Sequence, residues 1–223
     1  VDGSITTALA VEESNRHSLS QINTQAIKEG ADYKITGDKT FVIDGHCASL
    51  LIVAARTGGK EGDLSGITLF LIDPQSTGVT ITKTSMVDSR NSANISFDGV
   101  TVSSENILGE ENSGSGILEQ VVDRAQFAIS AEMLGNASQA FDLTLAYLKE
   151  RKQFGSLIGT FQALQHRAAE MYSELELTKS SVIAACVAVD ENSNDLTRMA
   201  SLAKFKAGET NHLVTNEAVQ MHG

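Results

Sequence analysis

The residues with the clearest chemical potential lie in one segment, residues 147–155, where an arginine, an amide and an aromatic side chain occur close together. Arg151 carries a permanent charge on a planar fork of donors that suits a diphosphate, Gln153 adds an amide, and the ring of Phe154 can stack on adenine. These residues also have a structural interpretation, in which Arg151 satisfies the carbonyl groups at a helix end and Phe154 lies in the core. Spacing alone leaves both interpretations open.

Other kinds of chemistry find little support in the chain. The five histidines form no i,i+4 pair with an acidic partner of the kind found in zinc motifs, so no metal site is predicted. No Gly-x-Ser-x-Gly string occurs, which removes a common hydrolase nucleophile. Gly58, Gly59 and Gly62 lie in an acidic turn without the strand–glycine–helix context of a dinucleotide loop, and we interpret them as a hairpin connection.

Charge and composition argue against two further classes of partner. The formal net charge is −11, from 17 Lys and Arg against 28 Asp and Glu, and no basic run occurs, so no nucleic-acid partner is predicted. No apolar stretch approaches the ~20 residues that span a bilayer and no signal-peptide pattern is present, so we predict no membrane partner and a cytoplasmic location. Cys47 and Cys186 lie far apart among apolar neighbours and are predicted to be buried free thiols.

The elements that must position residues 147–155 differ between the two halves of the chain. Up to about residue 110, short apolar runs alternate with turn residues at close intervals, which predicts an antiparallel β-barrel or sandwich. From about residue 115 an apolar stripe at helical spacing predicts helices near residues 115–151, 161–189 and 195–221, and Thr160 is expected to cap the second of them. We therefore predict an α+β chain with an antiparallel β-barrel domain at residues 1–112 and an incomplete up-down helical bundle at residues 113–223.

Five strings resemble one protein family. RKQFG at residues 151–155, with IGTFQALQH at 158–166, is similar to the acyl-CoA dehydrogenase signature between the first two helices of the C-terminal bundle. AVQMHG at residues 218–223 resembles the start of the second signature, Gln-x-x-Gly-Gly. In the first half, GDKTFVIDG at residues 37–45 and the run at residues 67–78 resemble strands of the family's middle barrel. The resemblance covers nearly the whole chain and is strongest to the subgroup that includes the pimeloyl-CoA dehydrogenase small subunit.

The resemblance implies a fragment made of the middle barrel and most of the C-terminal bundle, with a further helix expected after Gly223. In the family, FAD lies extended between barrel and bundle, and its ADP half reaches a neighbouring protomer. By motif match, Arg151 and Gln153 would meet the pyrophosphate, while the other bundle residues would hold the nucleotide and the adjacent diphosphate region. These other residues are Phe154, Gln162, Gln220 and Gly223.

The first half would supply the flavin contacts. The family's Thr-Glu-Pro-Gly-x-Gly-Ser loop aligns with residues 12–18, where Ser18 matches a flavin- and substrate-binding position but Glu12 replaces the flavin-contacting Thr. Phe41 matches the aromatic position beside the flavin, and Ile43 replaces the usual Thr there. On the first bundle helix the family's Asp-x-x-Arg, near the acyl-CoA, corresponds to Asp123 and Gln126.

The activity implied is the FAD-dependent α,β-dehydrogenation of an acyl-CoA thioester. The catalytic base is expected outside this chain, and no catalytic residue is assigned within it, because Ala125 occupies the alternative base position on the first bundle helix. The implied partners are the acyl-CoA, an electron-transfer flavoprotein or similar acceptor, and other subunits in a homo- or hetero-oligomer. Two alternatives remain, a non-catalytic partner subunit and a flavin oxidase or monooxygenase on the same fold.

Overall fold

The computed structural model describes residues 2–223. The chain divides into two compact units, Val1–Glu119 and Gln120–Gly223. Strands occupy the first unit and long helices the second, so the predicted α+β class is confirmed. The change from short apolar runs with frequent turns to a 3.6-residue period is what separates the two halves.

Eight strands form the sheet of the first unit. They are β1 Thr7–Ala10, β2 Gln25–Glu29, β3 Asp32–Ile43, β4 Leu50–Arg56, β5 Ile67–Ile72, β6 Val79–Ser85, β7 Asn91–Ser103 and β8 Ile107–Leu108, with a 3-10 turn at Ser104–Asn106. In β3, Tyr33 and Ile35 are buried while Lys34 and Thr36 are exposed, as expected for a strand that covers a core on one face. The core contains Tyr33 and Phe70, whose ring centroids are 5.1 Å apart.

The sheet is open, whereas a barrel was predicted. Its strands run in the order β6-β7-β3-β2-β4-β5-β8, and β1 adds to β4 in parallel. Between residues 2 and 119 no ladder joins the two end strands β6 and β8. The physical reason is length, because β8 has only two residues, and both already pair with β5.

The connection between β4 and β5 is organised by a buried arginine. Arg56 is 3% exposed, and its guanidinium donates five hydrogen bonds, all to backbone carbonyl groups. The acceptors are Ile22 at 2.9 Å, Ser20, Asp63 and Ser65 at 3.1 Å, and Gly58 at 3.3 Å. Because β4 and β5 are antiparallel, the interpretation of residues 57–66 as a hairpin connection is confirmed. Gly66, at φ 79, is required there, since a Cβ would lie 2.0 Å from the Gly58 oxygen.

Three long helices and a small hairpin follow. The helices are α1 Gly114–Glu150, α2 Gln162–Asp190 and α3 Leu196–His222, close to the predicted bounds. Between α1 and α2 lie strands β9 Lys152–Gln153 and β10 Ser156–Leu157 and a 3-10 turn, Ile158–Thr160. We expected Thr160 to cap α2, and this is wrong, because the cap residue is Phe161 and the Thr160 hydroxyl donates to the Leu157 carbonyl at 2.6 Å.

Helices α2 and α3 pack antiparallel through small and polar residues. The hydroxyl oxygens of Thr178 and Thr210, both buried, lie 2.8 Å apart. Nearer one end of the pair, Arg167 on α2 forms an ion pair with Glu217 on α3 at 3.1 Å. Together with an apolar cluster built on Met171, Leu175 and Val214, these contacts fix the register of the two helices.

Both cysteines are free, as predicted, but Cys47 is exposed and Cys186 is only partly buried, so the prediction of two buried thiols is wrong. The position of Cys47 in the turn after β3, where residues 44–47 leave the sheet, explains its exposure. Of the helices within residues 2–223, none combines the length and the apolar character that a membrane span needs.

Candidate functional site

The ends of α1 and α3 meet at one end of the second unit. The Tyr147 hydroxyl donates to the His222 carbonyl at 3.2 Å, and the two rings stack with centroids 4.3 Å apart. Since α2 is antiparallel to α3, its first turn lies at the same end, where Gly159 approaches the Leu148 carbonyl so closely that a Cβ would lie 2.7 Å from that oxygen. We call residues 147–165 and 218–223 the bundle end.

Arg151 lies at the bundle end, directly after α1. Its backbone is fixed, because its N–H donates to the Tyr147 carbonyl and its carbonyl accepts from Ile158 N–H, both at 2.9 Å. The side chain is exposed and has no ion pair or hydrogen bond with any residue from 2 to 223. The structural interpretation of Arg151, in which its side chain satisfies helix carbonyl groups, is therefore not supported by these contacts.

Phe154 is an exposed aromatic residue in a strained turn. It forms, with Gly155, the two-residue loop between β9 and β10, and both residues have positive φ, 54° and 78°. A type I′ loop of this kind favours Asn-Gly, and an aromatic residue at positive φ costs about 1 kcal/mol or more. The ring is 90% exposed, so the interpretation of Phe154 as a core residue is wrong. Its ring meets Phe161 edge-on, with centroids 6.2 Å apart, and otherwise stays exposed. Backbone strain together with this exposure favours a function outside the fold itself.

Amide side chains occur on three segments of the bundle end. Gln153 precedes Phe154 in the hairpin, Gln162 is the first residue of α2, and Gln220 lies in the last turn of α3; all three are exposed. Gly223 follows α3 at φ 106. The structure thus brings all six bundle residues suggested by the resemblance to one end of the second unit. That set has one cation, three amides and one exposed ring, which suits an anion joined to an aromatic base.

Asp123 and Gln126 lie elsewhere in the second unit. They are near the start of α1, about 40 Å from Arg151 at 1.5 Å per helical residue. Asp123 is 9% exposed, and its Oδ2 accepts a hydrogen bond from the Thr197 hydroxyl at 2.7 Å. The Ser201 hydroxyl donates to Gln126 Oε1 at 3.5 Å. Both side chains join α1 to α3, and their substrate role remains a prediction.

In the first unit, Phe41 and Ile43 lie on the same face of β3 and are 49% and 61% exposed. Phe41 follows an irregularity in the β3–β7 ladder, has φ 52, and donates its N–H to Asn94 Oδ1 at 3.1 Å. Ser18 lies in the connection between β1 and β2, half-buried, with its hydroxyl 3.2 Å from that of Ser20. The first unit therefore presents an exposed aromatic and an exposed aliphatic side chain at the two positions matched to flavin contacts.

The β1–β2 connection, residues 11–24, carries an ion pair that sequence reasoning did not find. Lys39 on β3 is completely buried and donates to Glu13 Oε1 at 2.7 Å and to the Val11 carbonyl at 3.1 Å. Burial lowers the pKa of Lys39 to about 8, although Glu13 opposes this shift. Burial also raises the pKa of Glu13, but the charge of Lys39 and the hydrogen bonds outweigh it, so the pKa lies below its usual value. Both residues occur in matched strings, but the strings do not show that they pair.

Glu12, next to Glu13, also has a partner. Its carboxylate bonds the Nδ1 of His17, and its backbone carbonyl accepts from Thr40 N–H at 2.8 Å. The acidic residue that replaces the expected hydroxyl is thus hydrogen-bonded within the connection rather than left as an isolated carboxylate. The bond to His17 occupies one acceptor site of the carboxylate, which leaves fewer of them for a neighbouring ligand.

Comparisons with known proteins define the family to which the chain belongs. Residues 7–100 match the family model for the acyl-CoA dehydrogenase middle domain, and residues 112–223 match that for the acyl-CoA dehydrogenase C-terminal domain. The chain belongs to the acyl-CoA dehydrogenase family, whose members are FAD-dependent flavoproteins. The family prediction made from the strings is confirmed.

Individual relatives agree with this assignment. The chain is 34% identical to the probable acyl-CoA dehydrogenase YngJ of Bacillus subtilis over 90% of its own length and 53% of that protein. It is 34% identical to the caffeyl-CoA reductase–Etf complex subunit CarC of Acetobacterium woodii over 91% of its own length and 54% of that protein. The structure of butyryl-CoA dehydrogenase from Megasphaera elsdenii superposes with a TM-score of 0.91 at 30% identity, covering 100% of this chain and 59% of that one. The chain thus spans about half the length of the curated relatives it matches.

Tyr147 is a residue of the bundle end to which the sequence assigned no specific contact. We expect Tyr147→Phe to lower the free energy of unfolding by about 1 kcal/mol, because it removes one hydrogen bond and keeps the ring stack with His222. Tyr147→Ala should cost about 2 to 3 kcal/mol, since it removes both. Denaturant titration measures the two values, and equal losses for the two variants would show that the stack contributes nothing.

Proposed function

We propose that this chain forms the FAD-binding middle and C-terminal parts of an enzyme that dehydrogenates an acyl-CoA thioester between Cα and Cβ. The observation that carries the proposal is the bundle end, where two family strings about 70 residues apart meet beside an arginine whose side chain has no ion pair or hydrogen bond with residues 2–223. An exposed cation and an exposed ring in a strained turn at one place offer groups that a ligand can contact.

The residues present fit the two halves of FAD in different ways. Arg151 and the amides of Gln153 and Gln220 offer donors to a diphosphate, and Phe154 offers a flat face to adenine. In the first unit, the exposed Phe41 and Ile43 suit the apolar edge of a flavin ring through packing. The hydroxyl donors of the family are missing at two positions, since Glu12 and Ile43 occupy them.

When bound, FAD supplies the acceptor for the hydride that leaves the substrate β-carbon. The role of this chain is then to bind and orient the cofactor. Arg151 holds the diphosphate, Phe41 limits the position of the ring system, and Ser18 offers a hydroxyl to flavin or substrate. No proton transfer is assigned to a residue of this chain, since Ala125 at the matched helix position has no basic group that could accept the substrate α-proton. Electron transfer onward to an electron-transfer flavoprotein, and assembly with further subunits, belong to the same proposal.

A second candidate function is that of a partner subunit without its own turnover. It is favoured by the paired Glu12 and His17 and by Ile43, because both changes remove hydroxyl donors at the positions matched to flavin contacts. In that case the bundle end would still bind the ADP half of a cofactor. The flavin half would have fewer specific contacts in this subunit.

Anaerobic spectroscopy of the purified intact protein tests these alternatives. A dehydrogenase should contain about one FAD per subunit, and its flavin absorbance should be bleached by an acyl-CoA and restored by an electron-transfer flavoprotein or an artificial acceptor. Bound FAD that no acyl-CoA bleaches would favour the partner subunit, and rapid restoration by oxygen would favour an oxidase or monooxygenase. A colourless protein that does not take up added FAD would contradict the proposal.

A further inference from the structure

Lys39 is a fully buried lysine whose ammonium group donates hydrogen bonds to residues of the β1–β2 connection. Its ammonium group reaches Glu13 Oε1 at 2.7 Å and the Val11 carbonyl at 3.1 Å, and its side chain has no exposed surface. An apolar side chain of similar length would avoid the cost of removing this charge from water. The lysine is therefore not explained by stability alone, and its directional bonds need another reason.

Glu13 extends the same network to the far end of the connection. Its carboxylate accepts hydrogen bonds from the backbone N–H groups of Asn23 and Thr24 at 2.6 and 3.0 Å, in addition to that from Lys39. Residues 11–24 contain no helix or strand, so they have few backbone bonds of their own. One carboxylate thus joins the two ends of an irregular segment to the middle of β3.

The next residue of β3 holds the same segment. Thr40 N–H donates to the Glu12 carbonyl at 2.8 Å, and its hydroxyl donates to the Ser14 carbonyl at 3.5 Å. Phe41 follows directly, at positive φ, with its N–H bonded to Asn94. Three consecutive residues of β3 therefore set the position of residues 11–14 and the direction of an exposed aromatic ring.

We propose that Lys39 and Glu13 are positioning residues for the flavin half of the cofactor site: their ion pair holds the β1–β2 connection in one register against β3, so that residues 12–18 and Phe41 form a constant surface for FAD. This inference rests on the proposed function. It assigns a role to two residues that do not themselves contact the cofactor. The role depends on the directions of the hydrogen bonds. Lys39 donates two and Glu13 accepts three, and together they specify one arrangement of residues 11–24.

Three variants of the intact protein test the pair. Lys39→Met removes the cation from Glu13 and leaves that carboxylate only its backbone donors, and Lys39→Met with Glu13→Gln removes both charges. Lys34→Met is a control at an exposed lysine of the same strand, 3.9 Å from Glu29. Flavin fluorescence titration of the apoprotein gives the Kd for FAD. Thermal unfolding without FAD gives the melting temperature of each variant.

A positioning role predicts that stability and affinity separate. The double variant should recover most of the melting temperature that Lys39→Met loses, but its Kd for FAD should remain about 10-fold higher than that of the parent. Lys34→Met should change neither quantity. If the double variant binds FAD as tightly as the parent, the pair is only structural and the inference is wrong. If Lys39→Met does not fold, the Kd of the double variant alone decides between a positioning role and a purely structural one. A parent protein that binds no FAD would contradict the proposed function rather than this inference.

Raising the pH provides an independent comparison. Because the pKa of Lys39 lies at about 8, the ion pair with Glu13 weakens as the pH rises through that value, with Glu12 the other carboxylate acting on the ammonium group. The folded-state pKa lies below the usual value of 10.5, so between the two values the unfolded chain holds more protons and the contribution of Lys39 to stability increases with pH. Between pH 7 and 9, FAD affinity of the parent relative to Lys39→Met should therefore fall while relative stability does not. A parallel fall of both would overturn the inference.

Discussion

Replacing Arg56 with methionine is expected to lower the free energy of unfolding by about 4 kcal/mol or more, which is about 10 °C in melting temperature for a chain of this size. The physical reason is that five backbone carbonyl groups lose their donor at once, in a region that methionine closes to water. Lysine cannot replace the arginine, because a single ammonium group has three donors and cannot reach acceptors on both sides of the connection. Thermal and denaturant unfolding measure the loss.

Arg16→Met is the matched control, because Arg16 is an exposed arginine of the same unit. It should change the unfolding free energy by no more than about 0.5 kcal/mol. If Arg56→Met lowers the unfolding free energy no more than Arg16→Met does, water replaces the guanidinium without cost, and Arg56 does not organise the β4–β5 connection.

Arg151→Ala is expected to weaken FAD binding by about 10- to 100-fold with little effect on stability. Hydrogen bonds from a charged donor to a diphosphate contribute about 1.5 to 3 kcal/mol, and 1.4 kcal/mol corresponds to a factor of ten. Since the Arg151 side chain has no partner among residues 2–223, its removal breaks no contact of the fold. Flavin fluorescence titration gives the affinity, and thermal unfolding without FAD gives the stability.

Lys149→Ala controls for charge, because Lys149 is an exposed cation in the last turn of the same helix. It should leave the Kd within about threefold of the parent, since a charge without fixed geometry adds little to diphosphate binding. Equal effects of the two substitutions would mean that only the net charge of the bundle end matters. Unchanged affinity with reduced stability in Arg151→Ala would support the structural interpretation of this residue.

Much of the fold could be predicted because its causes are local in the sequence. The three helices follow from an apolar stripe and from the glycine and polar residues between them, and their bounds differ from the prediction by one residue at each end. The open sheet could not be predicted, because closure depends on the pairing partners of the end strands, and a two-residue strand such as β8 leaves almost no signal. The cap of α2 was wrong for a similar reason, since Thr160 bonds backward to Leu157 in a 3-10 turn.

The candidate site was likewise predictable only where its signals are local in the sequence. The strings at residues 151–155 and 218–223 predicted which residues would lie at the bundle end, and the structure brings them together through Tyr147 and His222. The pairing of Lys39 with Glu13 joins positions 26 residues apart and depends on burial, which a single sequence does not reveal. The exposure of Phe154 was equally hidden, because an aromatic residue beside glycine is compatible with a core position until the turn geometry is known.

The stacking of Tyr147 on His222 limits how the length of this chain can change. The contact requires the path down α2, which has 29 residues, to match the path back along α3, which has 27, so a single deletion inside α2 or α3 would rotate the end of that helix by 100° and shorten it by about 1.5 Å. Insertions are tolerable in the loop between α2 and α3 at the opposite end, where residues 191–195 connect the helices. Natural length variation and engineered insertions in this region should therefore concentrate in that loop.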